Sequence, residues 1–233
     1  TVTGVQTCAL PISDRLHFTM SRSLELAGRL AEVRSRITRP DVTLIVVTKT
    51  YPVSDVQLLH DLGVTDFGEN RNEEGLPKSQ AVPARWHFQG EIQSRKIKEI
   101  IQWADCIHSL DDLRHAEKLS AALTKPIDVF LQLSLDGDPS RGGLTLENLL
   151  PLGTAICELA HIKIVGMMCV PPLTMEAAEA FADISKAHQR FTREFTDATS
   201  LSAGMSGDFE IAIDYGATHI RVGSSILGSR THR

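Results

Sequence analysis

The chain has 233 residues, with 24 Lys and Arg against 29 Asp and Glu for a formal charge of −5, a length that fits one large domain or two small ones. A content of 42% hydrophobic and 23% charged residues is an ordinary globular balance, which excludes collagen-like, disordered and disulfide-stapled classes. The acidic balance argues against a nucleic-acid surface, four scattered cysteines without a C-x-x-C pair fit a reducing cytoplasm, and no stretch approaches about 18 consecutive apolar residues, so no membrane span is expected.

Residues 1–19 carry neither strand alternation nor a helical stripe, and they precede Met20. The string GVQTCALPIS at 4–13 looks like translated sequencing-adapter sequence joined to a gene fragment. Residues 1–19 are therefore expected to be a non-native or disordered leader, with 20–233 as the domain proper. A signal peptide is disfavoured, since no basic segment precedes the weak apolar run.

Leu26, Leu30, Val33 and Ile37 fall on one helical face, which predicts an opening helix that stops near Arg39-Pro40. Residues 42–48 (VTLIVVT) are apolar on both parities, the pattern of a parallel strand buried on both faces. A helix over 53–62 follows Pro52 and ends at Gly63. Further strands are predicted at 64–68, 85–89, 106–110, 127–135, 162–170, 201–205 and 218–223. Helices are predicted at 92–103, 111–123, 145–159, 175–195 and 206–215. Eight strands with intervening helices, and no Gly/Ser/Pro-rich linker, predict a single (β/α)8 TIM barrel. No G-x-G-x-x-G follows the first strand, so a dinucleotide fold lacks its main support.

Barrels of this kind build their sites at the C-terminal ends of the strands. Lys49 stands there, directly after the first strand. It reads either as a solvated lysine or as a partly desolvated amine that is nucleophilic toward a carbonyl. Loops after strands 7 and 8 habitually hold phosphate, and here they carry Ser206, Gly223 and Ser224. Taken singly, Ser206 is equally a helix cap and Gly223 equally a turn residue. Strands 1 and 8 are neighbours in a closed barrel, so a phosphorylated aldehyde would bridge the lysine and the cradle. That combination points to pyridoxal phosphate.

At these residues a family resemblance becomes specific. Thr48-Lys49-Thr50-Tyr51-Pro52, Phe67-Gly68-Glu69-Asn70, Trp86-His87-Phe88-Gln89-Gly90 with Gln93-Ser94, Gly204-Met205-Ser206, and Arg221-Val222-Gly223 with Gly228 resemble the pyridoxal phosphate homeostasis protein family. Its members are similar to the barrel domain of bacterial alanine racemase. The resemblance implies that Lys49 carries the cofactor as a Schiff base, that Ser206, Gly223 and Ser224 contact its phosphate, and that Arg221 faces the pyridine nitrogen. Asn70 is a further candidate for the pocket wall. Thr48, Arg95, Arg141-Gly142 and Ser224 depart from the usual residues, although Ser224 keeps a hydroxyl. The implied partners are pyridoxal phosphate and pyridoxal-phosphate-dependent apoenzymes, with a monomer or weak dimer expected and neither nucleic acid nor membrane.

Other candidates have simpler readings. Asp111-Asp112 opens a helix, where acidic residues complement the dipole. His188 lies on an apolar stripe and reads as packing, and Arg95, Lys96 and Lys98 read as a solvated face.

An arginine beside the pyridine nitrogen cannot accept that nitrogen's proton, which makes the ring a poor electron sink. A racemase also needs a second acid/base group on the opposite face. The chain given ends ten residues past Gly223, and its only tyrosines are Tyr51 and Tyr215. The expectation is a carrier of pyridoxal phosphate without turnover. The alternative is a small racemase using His87 or Tyr51 as second base. A third class is a cofactor-free phosphometabolite barrel with Lys49 as an aldolase-type amine.

Overall fold

The computed structural model of the chain describes residues 12–228. Eight parallel strands close into one barrel in the order of the sequence. They are β1 (Thr43–Val47), β2 (Asp66–Glu69), β3 (Arg85–Phe88), β4 (Cys106–Leu110), β5 (Ile127–Leu133), β6 (Ile162–Cys169), β7 (Ser200–Met205) and β8 (His219–Val222). The barrel closes where β1 meets β8, from Thr43 opposite His219 to Val46 opposite Val222. The helices are α1 (Ile12–Ser35), α2 (Val53–Asp61), α3 (Asn72–Ala81), α4 (Ile97–Ile100), α5 (Leu113–Ala122), α6 (Leu146–Cys157), α7 (Ala177–Glu194), α8 (Phe209–Asp214) and α9 (Ser224–Leu227). The expected (β/α)8 barrel is the observed one.

The main core lies between strands and helices, where the apolar stripe of α1 buries Leu26, Leu30 and Val33. Phe67 of β2 stacks on Trp86 of β3 at 5.4 Å. A second, smaller cluster of Cys106, Phe130 and Met168 is also buried. Sheet closure tolerates no side chain at Gly166 of β6, because a Cβ there would stand 1.8 Å from the Ser200 carbonyl oxygen.

Helix α1 begins at Ile12, and residues 1–11 of the expected leader lie outside the described residues. Two local expectations need correction. Helix α3 is absent from the sequence reading because Gly75 and Pro77 interrupt its pattern. Tertiary packing overrides propensity there: Gly75 sits where a Cβ would come 2.5 Å from the Trp103 ring. Finally, the helix expected over 206–215 starts only at Phe209, with Asp208 as N-cap residue. Among the described residues no helix is long and apolar enough to cross a membrane.

Candidate functional site

The segment after β1 is pinned on both sides of Lys49. Thr48 donates its backbone N–H to the Gly68 carbonyl at 3.0 Å and its hydroxyl to Glu69 Oε1 at 2.6 Å. The Thr48 carbonyl accepts from Lys78 Nζ at 2.9 Å. On the other side, Thr50 has φ +72 and donates its N–H to Glu74 Oε2. A β-branched residue in the left-handed region is strained, and that strain turns the chain sharply just beyond the lysine. The Tyr51 hydroxyl then bonds the Gly228 carbonyl at 2.8 Å, tying the β1 loop to the end of α9.

Lys78, buried at 3% exposure, organises this region from α3. Its three ammonium protons meet three acceptors: Glu69 Oε1 at 2.6 Å, the Thr48 carbonyl, and Glu74 Oε2 at 3.1 Å. Burial pushes the Glu69 carboxyl above its ordinary value, against the opposing bonds from Lys78 and Thr48. The other oxygen of Glu69 is buried with no hydrogen-bond partner among the described residues.

The facing wall comes from the ends of β7 and β8. The Ser206 hydroxyl accepts from the backbone N–H groups of Gly223 at 3.2 Å and Ser225 at 3.3 Å. Ser206 is therefore not a cap of α8; it draws two N–H groups of the β8–α9 turn around one oxygen. At Gly223 a Cβ would stand 3.1 Å from the Val47 carbonyl oxygen, so glycine permits the close approach of this turn to β1. Arg221, 6% exposed, bonds Ser202 Oγ at 2.7 Å and the Cys169 carbonyl at 3.2 Å. Burial lowers its guanidinium to about 10, which leaves it charged at neutral pH.

Lys49, Ser206, Arg221, Gly223 and Ser224 all line one cleft of about 290 Å³ at this end of the barrel, a setting and scale suited to a small metabolite. Asn70 is not among its lining residues. Its backbone oxygen lies against Gly90, 2.3 Å from where a Cβ would be. His87 is fully buried and likewise does not line the cleft, so it is not in place as a second base. Asp112 accepts from the Arg114 N–H as the N-cap of α5, a structural role.

Sequence reasoning missed Gln89, Glu69 and Lys78 as site residues. Gln89 lines the cleft, and its Nε2 is buried without a hydrogen-bond partner among the described residues. An orphaned donor in a cleft is a signal for a ligand that accepts. Lys78 was legible only through its four-residue spacing from Glu74 on a helix that the pattern concealed.

The family described as alanine racemase, N-terminal domain, matches residues 24–231. The pyridoxal phosphate homeostasis protein of Corynebacterium glutamicum is 38% identical over 218 residues, covering 88% of this chain and 99% of that protein. The protein of the same name from Pseudomonas aeruginosa is 34% identical, covering 89% and 94%. Among solved structures, PipY of Synechococcus elongatus PCC7942 with PLP bound is similar at a TM-score of 0.80 and 32% identity, over 87% of this chain and 100% of that one. The chain belongs to the alanine racemase N-terminal domain family and, within it, to the pyridoxal phosphate homeostasis proteins.

Proposed function

We propose that this chain binds pyridoxal 5'-phosphate through Lys49 and takes part in pyridoxal phosphate homeostasis as a carrier rather than a catalyst. The observation that carries this reading is a single cleft that joins the lysine after β1 to the Ser206 and Ser224 hydroxyls and the Gly223 turn after β7 and β8. The unpartnered Gln89 amide in that cleft fits a ligand with acceptor atoms. The relatives named for pyridoxal phosphate homeostasis, and PipY with PLP bound, support it.

When bound, pyridoxal phosphate would supply an aldehyde, an electrophile toward amines, and Lys49 would hold it. This chain's own residues then have distinct tasks. The pinned Thr48 and Thr50 hold the Lys49 backbone in one place, which lowers the entropy cost of attachment. The Ser206 and Ser224 hydroxyls would donate to a phosphate, with the Ser206 oxygen held in place by the backbone N–H groups of Gly223 and Ser225. Arg221 is a donor only and offers no site for a proton from the group it faces.

Among the lining residues, the titratable ones are Lys49, Tyr51 and Arg221. Arg221 cannot act as a base, and the Tyr51 hydroxyl is engaged with Gly228. A second acid/base group opposite Lys49 is thus reduced to Tyr51, which favours the carrier over a racemase. The test is visible spectroscopy of the purified protein titrated with pyridoxal phosphate. A new absorbance band is expected, and Lys49→Ala abolishes it. An unchanged band in Lys49→Ala overturns the assignment. For the racemase reading, deuterium exchange at the α-carbon of amino acids that is lost in Tyr51→Phe would replace the carrier.

A further inference from the structure

The barrel interior holds a row of polar side chains that the cleft chemistry does not use. It starts at Arg221, whose Nη1 donates to Ser202 Oγ at 2.7 Å. Ser202 Oγ lies 2.9 Å from His108 Nδ1, His108 Nε2 lies 2.9 Å from His87 Nδ1, and His87 Nε2 lies 3.0 Å from Asp66 Oδ1. Ser202, His108 and His87 are all at 0% exposure. Asp66, the first residue of β2, lines a second cleft of about 260 Å³ with Arg34, Thr43 and Thr65. The row therefore runs from the candidate cofactor cleft to a cleft at the opposite end of the barrel.

Donor counting fixes its direction. Arg221 can only donate, and an ionised Asp66 can only accept. Burial holds both imidazoles below their ordinary values, so both are neutral with one N–H each. Burial alone would raise Asp66, but the bonds from His87 and Thr65 outweigh it and keep the carboxylate ionised. With His87 Nε2–H bound to Asp66, His87 Nδ1 must accept. His108 Nε2–H then donates, His108 Nδ1 accepts from the Ser202 hydroxyl, and that hydroxyl's oxygen is left to receive Arg221. The reverse order would place a bare His87 Nε2 against a carboxylate, acceptor to acceptor. The other charged and titratable groups around the row are Arg85 and Asp105 near His87, with Arg85, His219 and Cys106 near His108.

We propose that Ser202, His108, His87 and Asp66 form a one-way hydrogen-bond relay through the barrel that positions Arg221 and couples it to the second cleft. These are positioning residues, since none of the four lines the upper cleft. The competing reading is a metal site, because His87, Cys106 and His108 lie within ligand reach of one another. The two ring nitrogens are 2.9 Å apart, closer than the roughly 3.3 Å that tetrahedral zinc with about 2.0–2.1 Å bonds imposes. Burial also pushes the Cys106 thiol far above its usual range, against the thiolate a metal needs.

The significance of Arg221 rests on the cofactor reading, whereas the direction of the relay does not. The experiment is long-range ¹H–¹⁵N spectroscopy of the full chain labelled in histidine and arginine, without ligand at pH 7. His87 and His108 are expected as neutral Nε2–H tautomers. An Nδ1–H tautomer or an imidazolium at either position overturns the relay. In Asp66→Asn the amide can donate as well as accept, so the exclusive Nε2–H pattern is expected to break, and the Arg221 side-chain signals shift although Asp66 does not touch Arg221. A folded variant with unmoved Arg221 signals overturns the coupling.

A second variant, Ser202→Ala, is expected to weaken pyridoxal phosphate binding about tenfold by removing one hydrogen bond to a charged group, with recovery in Ser202→Thr. Equal affinity in wild type and Ser202→Ala contradicts the positioning role. Stoichiometric zinc that shifts both imidazoles identifies a metal site instead and sinks the relay. Should Lys49 carry no cofactor while both tautomers are as expected, the cofactor reading fails and the relay direction stands.

Discussion

The two halves of the barrel interior treat polar groups in opposite ways. Below Arg221 every donor in the Ser202–His108–His87–Asp66 row has an acceptor. At the mouth, Gln89 Nε2 is buried without a hydrogen-bond partner among the described residues, and Thr50 is held at positive φ. Unsatisfied groups and backbone strain cost stability and persist where something else compensates. The satisfied half reads as scaffold and the unsatisfied half as a place prepared for a ligand.

Substitutions at the mouth should change cofactor binding more than stability, and those in the buried frame the reverse. The largest effect is expected at Lys49. Lys49→Ala should remove covalent retention of pyridoxal phosphate completely while the chain still folds, read by gel filtration followed by absorbance.

Lys78→Met comes next, because it leaves Glu69 as a buried carboxylate without its counter-charge. A loss of about 3–5 kcal/mol is expected, measured by urea denaturation, and Lys78→Met with Glu69→Gln should recover part of it. If Lys78→Met is as stable as wild type, the buried frame is not what holds the Lys49 segment.

The third effect is pH dependence. Burial lowers His219 to about 4, and His87 and His108 are lowered for the same reason. A folded-state value below the unfolded one means that the unfolded chain binds more protons in the window between them. Stability contributed by the neutral imidazole is therefore full above about pH 6.5 and is lost as pH falls toward 4, roughly 3 kcal/mol from His219 alone. Glu69 works the other way, since its raised value makes the folded state take up a proton first. A denaturation midpoint that stays flat from pH 7 to 4.5 would contradict the buried neutral row.

The smallest effect is expected at Ser206. Ser206→Ala removes the acceptor for two backbone N–H groups. It should cost about 1 kcal/mol of stability and several-fold in pyridoxal phosphate affinity, read by calorimetry. Loss of stability with unchanged affinity would make Ser206 part of the scaffold.

Much of this was legible in the sequence. The strands of the barrel could be read because short apolar, β-branched runs such as residues 44–47 of β1 stand between helical stripes. Lys49 and the Ser206, Gly223 and Ser224 loops could be placed because strand ends in this architecture share one face. Helix α3 could not be seen, since Gly75 is there for Trp103 and Pro77 breaks the pattern. With it went Lys78, whose burial depends on carboxylates from β2 and from its own helix. The histidine row was equally hidden: His87, His108 and Ser202 are far apart in sequence, and only barrel closure brings them into line.

The most direct test of the central claim is chemical. Protein incubated with pyridoxal phosphate, reduced with borohydride, digested and mapped by mass spectrometry should carry one pyridoxyl group, on Lys49. A pyridoxyl group found on other lysines with none on Lys49, or on no lysine at all, would contradict the account.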